Sequence, residues 1–392
     1  MNKSATMLNR LLFYTNLTLL FITCSVMSII QWLNYMITSK IDRKWQLRIN
    51  FLMQELIFSQ FTVCLEWFCQ TRIRLFVNKR KTFDSYGQKP ALVISNHRYP
   101  NDFMFFLIFI KMFGPLGAAK SFVKYELRHV PIFGWSFLFS EHIFLKRDWQ
   151  QDKKNISNSL KNLNNSIVPI SVFFMPEGTR FTQRKHEIGI DYAKENQLPI
   201  FKHHLIPRAK GFNYILRYIH SNDDFNIYNM ELIQAQDSAD INWKNFFLCQ
   251  KLSADFYLEQ ITANQLPEPD ADDSKYTELL YEIFNKKVNP LDHTIVDQIV
   301  EQHRTHSFIP NCEVIINHQR SILTLLRCIA MNIVIGGSIV YYLFYYITFI
   351  LHNPIIRWIF LLISIIVIYA LYMAFKSAKV SNYGEKKAKK MN

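Results

Sequence analysis

The sequence predicts an α/β domain tied to a membrane from both of its ends. Three observations carry that reading. Strand-like apolar runs at 91–95, 169–175, 204–207 and 227–233 alternate with stretches of helical periodicity, as in a largely buried sheet. Long uncharged segments flank this region, Leu11 to Ser39 before it and Cys328 to Leu351 and Trp358 to Phe375 after it. Between Ala91-Leu92-Val93-Ile94 and Phe103-Met104-Phe105-Phe106-Leu107 lies a polar junction, with Pro100 placed to open a helix. Its charged and titratable residues are His97, Arg98 and Asp102.

Taken in order, residues 1–70 read as a membrane anchor. Leu11 to Ser39 is uncharged over 29 residues. As a helix it would run about 43 Å, against a bilayer core of about 30 Å. It exceeds a signal-peptide core and no small-residue cleavage site follows, so it reads as retained. Lys40, Arg43, Lys44 and Arg48 after it outnumber Lys3 and Arg10 before it, which puts the downstream side in the cytosol. Phe51 to Cys69 is apolar but broken by Glu55 and Glu66, and fits an interfacial or re-entrant helix beside the first. One span or a hairpin dipping into one leaflet are both compatible with this stretch.

Residues 71–310 read as the soluble α/β domain, with a basic and polar loop over 71–90 and a motif core over 90–235. The remainder is more polar, with an acidic turn at Pro267–Asp273. Tyr276, Leu279, Leu280, Ile283 and Phe284 then form a helical stripe. Over 311–375, uncharged segments of 24 and 18 residues surround His352-Asn353-Pro354 and predict a transmembrane hairpin. The tail 376–392 holds six lysines and one glutamate, a cytosolic signature.

A formal charge of +14 favours anionic partners. With these apolar segments, lipid or a lipid-linked phosphate is expected over nucleic acid, and neither an Arg-rich recognition helix nor C2H2 spacing is present. The six cysteines include no C-x-x-C and read as reduced, mostly buried thiols.

His97 and Asp102 could be a general base and the carboxylate that orients it. Spacing alone is weak, because with 12 His in the chain roughly 0.5 His-x4-Asp matches arise by chance. A second match, His186 to Asp191, has neither a preceding Asn nor ordered partners. Three further stretches stand out. They are Phe144-Leu145-Lys146-Arg147-Asp148-Trp149, then Phe174-Met175-Pro176-Glu177-Gly178-Thr179-Arg180, then Pro207-Arg208-Ala209-Lys210-Gly211. Each has an ordinary structural explanation alone: a strand end, a turn after a strand, a proline stop. His203-His204 and His303-x-x-His306 lack a third ligand at useful spacing, so no metal is expected.

Together and in this order the four stretches resemble the ordered motifs of the glycerolipid acyltransferases. That group contains the 1-acylglycerol-3-phosphate acyltransferases and lysocardiolipin acyltransferase. Asn96, His97 and Asp102 match the Asn-His-x4-Asp motif, Phe144 and Arg147 the second, Pro176 to Arg180 the third, and Pro207 the fourth. Arg98 and Pro207-Arg208 look most like the branch with lysocardiolipin and lysophosphatidylinositol members. Met175 and Phe103 depart from the usual Phe and Trp.

The resemblance implies His97 and Asp102 as catalytic residues. Arg147 and Arg180 would hold a phosphate, while Glu177, Gly178, Thr179 and Pro207 would shape acceptor binding. The implied activity is membrane-bound O-acyl transfer from acyl-CoA to a lysophospholipid of lysophosphatidate, lysocardiolipin or lysophosphatidylinositol type, without a cofactor beyond the co-substrate. A glycerol-3-phosphate acyltransferase, or a non-catalytic lipid-binding protein of the same fold, is the alternative. Lys389 and Lys390, fourth and third from the C-terminus, resemble a dilysine retrieval signal. A multi-pass endoplasmic reticulum protein with its catalytic domain facing the cytosol is therefore expected.

Overall fold

The computed structural model describes residues 3–39, 41–77, 84–164, 166–222, 225–285, 313–317 and 320–355, with positions 358, 362, 365 and 369. Helix α1 (Lys3–Thr38) turns at Ile41-Asp42 into α2 (Arg43–Val63), whose N-terminus Asp42 caps by accepting from the amides of Lys44 and Trp45. Contacts between Asn34 and Asn50 at one end, and Asn16 and Cys64 at the other, make the pair antiparallel.

The α/β part then unfolds as β1 (Ile73–Val77), β2 (Ala91–Ser95), α3 (Asp102–Lys111), β3 (Ala119–Lys124), α4 (Phe133–Phe139) and β4 (Ile143–Leu145). It continues through α5 (Trp149–Asn164), β5 (Ser171–Phe174), α6 (Gln183–Glu195), α7 (Ala209–Asn222) and β6 (Asn226–Gln234). The last elements are α8 (Trp243–Phe247), β7 (Ala254–Ile261), α9 (Asp273–Asn285), β8 (Glu313–Asn317) and α10 (Ile322–His352).

The strands form one sheet in the order β4-β3-β5-β2-β6-β7-β1-β8. The first five run parallel, β7 pairs antiparallel with β6 and parallel with β1, and β8 closes antiparallel on β1. β2 is buried at every position because helices cover both faces, which is why its sequence is a continuous apolar run. On one face Val93, Phe173, Leu232 and Phe256 meet α3, α2 and α1. On the other, Ile94 and Val172 meet Ile156 and Leu160 of α5, Phe212 and Leu216 of α7, and Leu280 and Phe284 of α9. Each such side chain taken fully from water contributes about 2 kcal/mol.

Helix α3 is buried from Asp102 to Ile110 except at Phe103, so it is apolar all round instead of striped. Helix α1 is different. Phe13, Leu20, Cys24, Met27, Gln31 and Asn34 are buried at alternating intervals of seven, four and three residues. The other side exposes Leu12, Ile29, Leu33, Met36 and Ile37. The buried stripe touches the α/β domain as well as α2: Ser28 donates to the Ile132 carbonyl and Gln31 to Ser140. Residues 7–38 are long and apolar enough to cross a membrane. One side of this helix is docked on α2 and the α/β domain, and the other is exposed.

Several expectations are corrected. Residues 204–207 are not a strand; with His203 they form an irregular strap between α6 and α7. Leu205 donates its amide to a side chain and Pro207 has none to donate. The loop expected over 71–90 contains β1, and the polar region after 235 contains β7. β3 and β4 add two strands within the motif core. Pro100 lies just before α3. Cys24, Cys64, Cys69 and Cys328 are buried free thiols and Cys249 is partly buried, while Cys312 lies outside the described residues. Helix α10 covers the first of the two uncharged segments from which a C-terminal hairpin is expected. It packs on the N-terminal helices through Asn332, which accepts from Thr23 and Gln60. The second segment and the lysine tail lie outside the described residues apart from isolated positions.

Candidate active site

Because β4, β3, β5, β2 and β6 run parallel, the segments leaving their carboxyl ends gather along one edge of the sheet. Open α/β sheets carry their ligand sites there. β2 delivers Asn96 to Asn101, and α3 begins immediately after with Asp102 in its first turn. The helix dipole favours a carboxylate at that position. The turn folds His97 back so that Nδ1 lies 2.8 Å from Asp102 Oδ2. The carboxylate is 4% exposed and the imidazole 29%, so the acid is buried and the ring opens to solvent on its Nε2 side.

Backbone contacts fix the histidine. Its amide donates to Glu177 Oε1 at 2.9 Å, and its carbonyl accepts from Phe181 at 2.8 Å. Glu177 Oε2 accepts the Leu205 amide at 2.9 Å. With both oxygens taken and 3% exposure, Glu177 braces the His97 turn and the strap from beneath. Gly178 has φ +66°, and a Cβ there would lie 3.0 Å from the Arg208 side chain. The positive φ favours glycine, and a Cβ would push on the Arg208 side chain. Pro207 is buried, and the Arg208 amide following it donates to the Pro176 carbonyl at 2.8 Å. The third and fourth motifs are thereby joined.

Arg147 stands at φ +65°, uncommon for a residue with a Cβ. Asp152 of α5 holds it there, its two oxygens accepting the amides of Lys146 and Arg147 at 2.8 Å each. Asp148 caps α5 by accepting from Gln150 and Gln151, and those bonds draw its carboxyl below the ordinary range.

Around Arg147 and Arg180 gather three cations that sequence reasoning did not assign, Lys124 at the end of β3, Lys185 of α6 and Arg208. Burial, and then Arg180, Lys124, Arg147 and Arg208, pull the Lys185 ammonium down. Burial, then Arg147, offset by Glu126, does the same at Lys124, with Arg180 adding to it. Burial against the strap and then Arg147 lower Arg208. Lys185 also donates to the Thr179 hydroxyl at 2.7 Å, which orients that residue. Holding Lys124, Lys185 and Arg208 charged beside their cationic neighbours is costly unless an anion joins them. The signal for Lys124 and Lys185 lay in sheet topology, not in any local motif.

A second buried pair lies nearby. His204 Nε2 is 2.9 Å from Glu231 Oε1, with side chains 2% and 3% exposed. Asn96 donates to the same oxygen at 2.7 Å and pairs with the Leu232 backbone in both directions, tying β2 to β6. His203 and His204 therefore diverge, His204 inward to this network and His203 to a neighbouring cavity. His303 and His306 lie outside the described residues. His186 is buried and bonds the Phe201 carbonyl at 2.6 Å, away from Asp102. Phe103 packs against Phe61 and Trp243, and Met175 lines the first core.

Residues 74–217 match the acyltransferase family model. The 1-acyl-sn-glycerol-3-phosphate acyltransferase delta of Homo sapiens is 34% identical over 245 residues, 60% of this chain and 61% of that protein. The delta protein of Bos taurus is 32% identical over 250 residues, 61% and 62% of the two chains. The gamma protein of Homo sapiens is 29% identical over 249 residues, 61% and 65%. The chain thus spans about three fifths of the length of these curated relatives. The matched region contains all four motifs, from Asn96 to Pro207. Over its α/β domain the chain is thus similar to the acyltransferase family model and to the 1-acyl-sn-glycerol-3-phosphate acyltransferases.

Proposed function

We propose that the protein transfers a fatty acyl group from acyl-CoA to the free hydroxyl of a lysophospholipid, with lysophosphatidate as the leading acceptor. The observation that carries this is the His97–Asp102 pair at 2.8 Å, open at Nε2 and flanked by five cations. Asp102 keeps the Nδ1–H tautomer, leaving Nε2 as the base. Nε2 takes the acceptor's hydroxyl proton as that oxygen attacks the thioester carbonyl carbon. The C–S bond then breaks, and the proton passes from Nε2 to the leaving sulfur, giving an ester and a free thiol. The acceptor is the nucleophile, so no enzyme serine or cysteine is consumed. Arg147 and Arg180, with Lys124, Lys185 and Arg208, would receive the acceptor's phosphate.

Membrane attachment suits a reaction whose acceptor and product both live in a bilayer. The docked α1–α2 hairpin, with its outward apolar face, supports a domain seated on the cytosolic leaflet. Helix α10 and the apolar segment after it support a multi-pass protein, and the lysine tail an endoplasmic reticulum address. The test is a panel of lysophosphatidate, lysocardiolipin, lysophosphatidylinositol and glycerol 3-phosphate offered with labelled acyl-CoA to membranes holding the full chain. Phosphatidate formation lost in His97→Ala is expected. Equal product from wild type and His97→Ala would sink the mechanism, and a preference for another acceptor would replace lysophosphatidate.

A further inference from the structure

A cavity of about 660 Å³ opens at the carboxyl end of β6, on the other side of β2 from the cation cluster. Its volume falls in the range of small-molecule sites. Arg98 and Tyr99, the two residues after His97, form one wall; Gln234, Gln236 and Asp240 form another, and His203 of the strap closes a third. Its parts are fixed. Tyr99 accepts the Gln234 amide at 2.9 Å, the Gln234 side chain accepts the Ile241 amide at 3.1 Å, and Arg98 donates to the His203 carbonyl at 2.7 Å while lying over the Phe181 ring.

We infer that this cavity takes the pantetheine arm of the thioester donor. The inference rests on the acyl-transfer reading of His97. In the sheet order β4-β3-β5-β2-β6, Lys124, Arg147 and Arg180 leave the ends of β3, β4 and β5, Lys185 sits on the helix after β5 and Arg208 on the segment before α7, His97 leaves β2, and the cavity lies at β6. An acceptor whose phosphate sits among the cations reaches His97 from the β5 side. The thioester carbon must then come from the β6 side, with its leaving group trailing away over the cavity.

The lining fits that arm. Pantetheine is uncharged, with two amides, hydroxyl and a pair of methyl groups. The cavity offers side-chain amides, a tyrosine and backbone groups beyond the strand end, with Leu232, Ile233 and Ile241 as apolar patches. Its fixed charges are Arg98 against Asp240 and the buried Glu231, a balance that disfavours a second phosphate. Coenzyme A and an acyl carrier protein present the same arm.

Gln236 and Asp240 are exposed on the rim, so Gln236→Trp and Asp240→Trp intrude without cutting the core. Each full-length variant is assayed with acyl-CoA, the same acyl group on N-acetylcysteamine, and the same group on acyl carrier protein. The expected result is at least a tenfold fall in the ratio of kcat/KM for acyl-CoA to that for the truncated thioester, with the acceptor KM unmoved. A wild-type preference for the carrier protein would support the arm's position and change its source. An unchanged ratio in both variants, or a rise in acceptor KM in place of it, overturns the assignment alone. No transfer from any donor by wild type overturns the reading of the whole site, and this assignment with it.

Discussion

Two histidine–carboxylate pairs lie close together in this molecule with nearly the same bond length and opposite surroundings. His97–Asp102 spans 2.8 Å with a ring 29% exposed; His204–Glu231 spans 2.9 Å with both partners essentially sealed. The open pair buries only its acid, so one imidazole nitrogen can meet a substrate. The sealed pair spends its bonds on Asn96 and the junction of β2 with β6. Distance therefore does not distinguish a base from a brace. Exposure of the second ring nitrogen does.

The sharpest way to break this contrast is to remove each histidine. His97→Ala should lower kcat of the folded fraction about a thousandfold, as loss of a general base does, and lower the melting temperature because Asp102 stays buried without its ring partner, read by acylation rate and calorimetry together. Arg147→Ala and Arg180→Ala should each raise the KM for a phosphate-bearing acceptor by about tenfold to a hundredfold, the equivalent of one charge-assisted contact. An acceptor KM indifferent to both would remove the cation cluster from the site. Glu177→Gln leaves one of two backbone amides facing an NH2 group, and should cost roughly tenfold in rate with about 1–3 kcal/mol of stability. His204→Ala should leave the rate of the folded fraction alone while lowering unfolding stability by about 3 kcal/mol, since Glu231 stays buried without its ring partner. A catalytic loss in His204→Ala larger than its loss of folded protein would erase the distinction between the pairs.

The same contrast recurs along β3. Lys124 ends the strand among the cations, whereas Lys120 begins it fully enclosed, donating to Gln54 at 2.7 Å and the Gly117 carbonyl at 3.0 Å. Burial pushes Lys120 down to about 7, a little offset by Glu141. Its folded value lies below the unfolded one, near 10.5. The unfolded chain therefore binds more protons between those values, and stability rises with pH across that window. Lys120→Met should flatten the rise, seen as denaturation midpoints at pH 7 and pH 10 moving together, with no change in transfer rate at a fixed folded fraction. A rise of equal steepness in the variant would assign it elsewhere.

What could be read from the residues was contiguous chemistry. Asn96 to Asp102 and Pro176 to Arg180 sit within single turns, so their order along the chain already describes the site. Lys124 and Lys185 could not be assigned this way, because they join the cluster only once β3, β4 and β5 lie side by side. Leu205-Ile206 read as strand because it is apolar, yet its backbone is satisfied by Glu177 and not by a sheet neighbour. β1 went unread because Ile73–Val77 is short and borders basic residues, and its placement depends on β7 and β8 far along the chain. Asp152 gave no local sign that it holds Arg147 in a left-handed turn.

Glu177 grips two peptide amides, those of His97 and Leu205, and no side chain at all. A grip on backbone is blind to residue type. His203 of the strap can thus exchange its side chain, reshaping the cavity it borders, while the His97 imidazole keeps its place. In evolutionary terms, the lining of this cavity can drift at His203 without first dismantling the backbone seat of His97.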